Sequence, residues 1–168
     1  SGALIVPSGL LARLKGARPR DVEAAVREMA CAEQLAMGAV MEAERRLGHE
    51  PRDVSAEKYG YDIESRVPVR NQQPSRLRFI EVKGRAAGAT TVTVTKNEIL
   101  VALNKPDDYF LAIVEIEGDA TREPRYLRCP FGQEPDFAVT AVNYDISQLL
   151  HRGEDPDDQS DRGRSQIL

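Results

Sequence analysis

The chain has little of what most often carries metal and nucleophile chemistry: two cysteines, Cys31 and Cys129, and two histidines, His49 and His151, in 168 residues. The cysteines lie far apart, one in a helical pattern and one in a strand-like run. Neither has a second Cys or His at metal-ligand spacing, so they read as buried free thiols, and a zinc site or a histidine-based hydrolase has almost no material to work with. No run of about eighteen apolar residues occurs, and Ser1 to Pro7 lack the basic start and long apolar stretch of a signal peptide. The expectation is a soluble, cytoplasmic protein with no membrane contact. Its first residue is Ser rather than Met, which reads as a domain cut from something longer. Any chemistry must therefore come from carboxylates, lysines or hydroxyls.

What is present is enough for one core, since 41% of the chain is hydrophobic and its length favours a single domain. The formal net charge of −4 argues mildly against non-specific nucleic-acid binding, but it hides an asymmetry. From Arg66 to Lys105, eight Lys and Arg stand against two acids, Glu81 and Glu98. A solvated basic surface explains this stretch as well as a nucleic-acid footprint does.

Residues 1–20 read as a lead-in with a short helix over Leu10–Leu14, residues 21–151 as the domain, and residues 152–168 as a charged disordered tail. Asp21 is placed to cap a helix from Val22 to Leu47 that Gly48 stops. Val22, Val26, Met29, Ala36, Val40 and Leu47 form its apolar stripe. Glu33 and Glu44 fall inside that stripe. Glu33 reads as an edge residue reaching solvent, whereas Glu44 calls for a partner, because a carboxylate facing a core is costly unless paired or bound to metal.

Period-two segments then follow: Asp53–Ser55, Tyr61–Glu64, and Leu77–Lys83, the clearest strand, stopped by Gly84. Residues 67–75 form a loop between the second and third of these. Thr91–Val94 is a β-branched strand, and Thr95 with Glu98 forms a capping box opening a helix over Lys96–Asn104. Tyr109–Ile116 reads as a central strand buried on both faces, Pro124–Cys129 as one more strand, and Asp145–Leu150 as a last helix. This order implies an α/β fold with a central mixed β-sheet flanked by helices.

On Leu77–Lys83, alternate residues share a face, so Leu77, Phe79, Glu81 and Lys83 point one way. That face starts apolar and ends charged, which would present Glu81 and Lys83 to a cleft. Asp62, between Tyr61 and Ile63 on the preceding strand, adds a second acid where a purely structural strand would more often carry Thr or Val. A bland account remains open: a surface Glu81–Lys83 pair with Asp62 hydrogen-bonded in a turn. Asn97 and Glu98 could approach the same place, with helix capping as the favoured role.

Gly60-Tyr61-Asp62 followed by Glu81-Val82-Lys83, after a helix carrying Glu44, resembles the arrangement of PD-(D/E)XK nucleases, with Tyr61 where a proline often precedes the aspartate. More narrowly, GYDIESR, RFIEVKGR and TVTKNEILVALNKPDDYFLAIVE resemble the protein NO VEIN C-terminal domain family, found at the ends of helicase-like and other multidomain ATPases. The resemblance implies a restriction-endonuclease-like fold and a Mg²⁺- or Mn²⁺-dependent deoxyribonuclease. In it, Asp62, Glu81 and the Val82 carbonyl would hold the metal, Lys83 would be the catalytic lysine and Glu44 the helix-borne acid. Arg78, Arg85 and Lys96 would meet phosphates. DNA and an attached helicase or ATPase are the implied partners. A non-catalytic nucleic-acid-binding or docking module on the same fold, and a homodimer, stay open as alternatives.

Overall fold

Helix α1 runs over Pro19–Arg46, starting ahead of the expected Asp21 because proline in a first turn gives up an amide the helix does not use. In this computed structural model the described residues are 19–69 and 74–152, with side chains from 27 to 69 and 74 to 151. The expected helix over 10–14, part of the loop after Val69 and the charged tail lie outside them. α1 ends in a Schellman turn: Gly48, at φ 75°, donates to the Arg45 carbonyl at 2.9 Å, and the His49 amide donates to the Glu44 carbonyl at 3.0 Å. This turn folds His49 back toward Glu44.

The main sheet has six strands: β1 (Glu50–Asp53), β2 (Ile63–Val67), β3 (Arg76–Ala86), β5 (Tyr109–Glu117), β6 (Ala120–Thr121) and β7 (Arg125–Arg128). Their order is β1-β2-β3-β5-β6, with β7 also on β5. β3 and β5 pair in parallel and the other pairs are antiparallel, so the sheet is mixed as expected. Between β3 and β5 the chain forms β4 (Thr91–Thr95) and helix α2 (Lys96–Asn104). β4 pairs with β8 (Ala141–Asp145) in a separate two-stranded sheet, after which helix α3 (Ile146–Arg152) follows.

Several boundaries differ from the sequence expectation. The first strand lies at Glu50–Asp53, and residues 55–57 form a short 3-10 turn. Asp62 precedes β2 rather than lying within it. Gly84 does not stop β3: it pairs with Val114 of β5, and a Cβ on it would come within 2.9 Å of the Ala32 carbonyl and 3.0 Å of the Ala36 Cβ. The missing side chain is what lets α1 cross the strand this closely.

α1 covers one face of the sheet, over Ala36, Val40, Ile63, Ile80, Ala112 and Val114, and α2 with the small sheet covers the other, over Val92, Val94, Ile99, Leu111 and Ile113. Each fully buried aliphatic side chain contributes roughly 1.5–3 kcal/mol. Residues 109–114 of β5 are all buried, as its apolar run predicts. At its N-terminal end the α1 stripe runs past the sheet, leaving Met29 60% exposed. Glu33 reaches solvent as expected, but Cys31 and Cys129 are exposed rather than buried. Among the described residues no helix is long and apolar enough to cross a membrane.

Candidate active site

Strand alternation sorts β3 into two sets. Arg78, Ile80 and Val82 face α1, while Phe79, Glu81 and Lys83 face α2. The β2–β3 ladder ends at the Ile63–Ile80 pair. Beyond it, among the described residues, no strand pairs with β3 on that side, and Asp62 takes over. Its amide donates to the Ile80 carbonyl at 2.9 Å, and its Oδ2 accepts the Val82 amide at 2.9 Å. Because a residue's carbonyl and amide share one side of a strand, the Val82 carbonyl points to this same open edge.

Next to that edge, Lys83 Nζ lies 2.6 Å from Glu81 Oε1 and 2.7 Å from Glu98 Oε2, with all three side chains less than 15% exposed. Glu98 reaches the cluster from the first turn of α2 while completing the capping box: its Oε2 accepts the Thr95 amide at 3.1 Å, and its own amide donates to Thr95 Oγ1 at 3.4 Å. Capping and site contact, posed as alternatives by the sequence, are both made by one side chain.

Two carboxylates therefore contact one ammonium, and a third, Asp62, feels its charge. Burial pushes the Glu81 carboxyl up to about 8; the Lys83 charge pulls against this, and Asp62 and Glu98 add to it. Asp62 is raised by burial, with the Val82 amide and Lys83 opposing and Glu98 and Asp53 reinforcing. Lys83 is also raised: burial works against its charge, but Glu81 and Glu98 together outweigh it. Burial is the largest cause for both Glu81 and Asp62 and neighbouring carboxylates add to it, so these two acids hold protons more tightly than isolated ones would.

Glu44 is not part of it. It faces the other side of the sheet, fully buried, with Oε2 2.8 Å from His49 Nδ1 and a carboxylate oxygen 3.3 Å from Arg78 Nη2. The expected helix-borne acid is thus separated from Glu81 and Lys83 by the sheet, because a helical wheel identifies the stripe but not the strand face it meets. Arg78 departs from its expected role for the same reason. It is 5% exposed, with its guanidinium 4.1 Å from the centre of the Phe110 ring and 5.3 Å from that of Tyr126, and cannot present itself to a phosphate.

The other two expected phosphate contacts divide. Lys96 Nζ lies 3.4 Å from Glu134 Oε1 and donates to the Pro135 and Asp136 carbonyls. Arg85 is half-buried on the Glu81–Lys83 face and donates to the Gly84 carbonyl at 2.8 Å. Burial lowers its pKa, against the charges of Glu33 and Glu98. Elsewhere in the basic stretch, Arg66 pairs with Glu50 and Arg76 with Asp108. Acids from other parts of the chain thus absorb much of the local surplus.

The model of the family described as Protein NO VEIN, C-terminal, matches residues 32–127, more than half of the chain. The chain belongs to this family. The stretch characteristic of the NO VEIN C-terminal domain holds Asp62, Glu81, Lys83 and Glu98, and ends before β8 and α3. No curated protein and no solved structure matches the chain.

Among the described residues no three His, Cys, Asp or Glu side chains converge as a ready metal site. The donors at the open edge are fewer: two carboxylates, Asp62 and Glu81, and one main-chain carbonyl. All are hard oxygens, and the excess of negative charge is of the kind a Mg²⁺-class ion offsets, so the donor chemistry fits that ion with water completing its shell.

Proposed function

We propose that this NO VEIN C-terminal domain is a metal-dependent, PD-(D/E)XK-type nuclease domain that hydrolyses phosphodiester bonds of DNA within a larger helicase- or ATPase-containing protein. The observation that carries this reading is the set of buried carboxylates gathered around one lysine at the unpaired edge of β3. Asp62, Glu81 and the Val82 carbonyl would hold Mg²⁺ or Mn²⁺, which supplies Lewis acidity toward phosphate oxygens and makes water a better nucleophile at neutral pH. Lys83 orients the attacking water and places its charge against the negative charge that develops on the phosphorus oxygens. Arg85 holds the backbone phosphate without reading sequence.

A second reading has its own support. The net charge is −4, and Arg66, Arg76, Arg78 and Lys96 are already engaged by acids of the same chain, which favours a docking module over a phosphate-binding surface. Cleavage of supercoiled plasmid and labelled single-stranded DNA with Mg²⁺ or Mn²⁺ separates the two. The nuclease reading expects cutting that is lost in both Asp62→Ala and Lys83→Ala. Absence of cutting, with metal-independent DNA binding that survives Asp62→Ala, makes the domain a nucleic-acid recognition module, and absence of both cutting and DNA binding makes it a docking module.

A further inference from the structure

Among the described residues, Lys83 is the cation in ion-pair contact with the acids of the Asp62–Glu81–Glu98 cluster, and its Nζ has three protons to donate. Two of them are accounted for by Glu81 Oε1 at 2.6 Å and Glu98 Oε2 at 2.7 Å. These acceptors differ in kind. Glu81 is a proposed metal ligand and so has a second demand on its oxygens. Glu98 stands outside the proposed donor set and is fixed from behind, because its Oε2 also accepts the Thr95 amide. The anchor continues further: Thr95 pairs with Ala141 in the β4–β8 sheet, and the Lys96 amide donates to the Thr140 carbonyl at 2.8 Å. A rigid path therefore runs from the small sheet through the helix cap to the lysine.

We propose that Glu98 is the positioning residue of the site, pinning the Lys83 ammonium in place from α2 so that the lysine stays aligned when Glu81 turns toward a cation. The proposal rests on the nuclease reading for its consequence in catalysis, but the pin itself is a property of the metal-free protein. It also gives the small sheet a function, since that sheet fixes the strand end from which the pinning helix starts.

The test uses Glu98→Gln. Glutamine retains the capping box, because its side-chain carbonyl still accepts the Thr95 amide, while the charge on Lys83 loses one of its two carboxylate partners. Lys83 acylation by an amine-reactive ester, quantified by mass spectrometry against the exposed Lys58, reports on the pin without metal or DNA. The expected result is several-fold faster labelling of Lys83 in Glu98→Gln and a wider gap when Mn²⁺ is added. Its melting temperature should stay within about 2 °C of the parent. Thr95→Ala, which removes a cap acceptor but keeps the carboxylate, should lower the melting temperature by about 2–4 °C and leave Lys83 labelling near the parent rate. Where the parent cuts DNA, Glu98→Gln should lower kcat by about 10²-fold with little change in KM, as expected for a misplaced catalytic group. Unchanged Lys83 labelling in Glu98→Gln overturns the proposal. A parent that cuts no nucleic acid overturns the nuclease reading instead, and the labelling result still decides the pin.

Discussion

Strand β3 carries a buried charged group on each face, and the two groups are built on different plans. Toward α1, a single carboxylate, Glu44, meets Arg78 and His49, and the guanidinium is sandwiched against Phe110 and Tyr126. Toward α2, Asp62, Glu81 and Glu98 crowd one ammonium at a strand edge that β2 has left open. In the first group one carboxylate meets one guanidinium inside the core. In the second, carboxylates outnumber the ammonium, and the open main chain of β3 lies beside them. Burial of a carboxylate is thus not in itself a sign of chemistry; an uncompensated charge next to unpaired backbone is the better one.

Arg78→Met should cause the largest loss of stability, about 3–5 kcal/mol by urea denaturation, because Glu44 is left buried without its cation. A loss under about 1 kcal/mol would mean that the α1-side group is not held by charge balance. Gly84→Ala comes next, at about 1–3 kcal/mol, since its Cβ would press on the Ala32 carbonyl and the Ala36 side chain where α1 crosses the strand.

The α2-side group should show itself through pH. A carboxyl held at about 8 in the folded chain binds its proton more tightly than in the unfolded chain, where the ordinary glutamate value of 4.5 applies. Its contribution to stability is therefore fully present below about 4.5 and is lost as pH rises through about 8. Melting temperature measured across that window should fall with pH in the parent and fall less in Glu81→Gln. A slope that is the same in both proteins removes Glu81 from the account. The smallest effect carries the opposite sign from Arg78→Met. Asp62→Asn lowers the repulsion in the cluster while keeping an acceptor for the Val82 amide, and should stabilise the protein by about 0.5–2 kcal/mol.

Much of this was legible in the sequence, for identifiable reasons. β3 and β5 announce themselves by alternation and by a long apolar run, and the Thr95–Glu98 box fixes the start of α2. Asp62, Glu81 and Lys83 come together because strand pairing brings the residue before β2 against β3. Glu98 had a signal as well, as one of the two acids in a basic stretch. β8 gave none: it is short, mostly half-buried, and paired with β4 across 45 intervening residues. The depth of Glu44 could be read from the α1 stripe, but its side of the sheet could not, since that depends on the crossing of α1 over β3 at Gly84.

Calorimetric titration of Mn²⁺ into the parent, Asp62→Asn, Glu81→Gln and Glu44→Gln proteins tests the central claim most directly. The account predicts binding in the parent that is lost in Asp62→Asn and Glu81→Gln and retained in Glu44→Gln. Binding that survives both substitutions at the open edge, or no binding to the parent at millimolar metal, would contradict it.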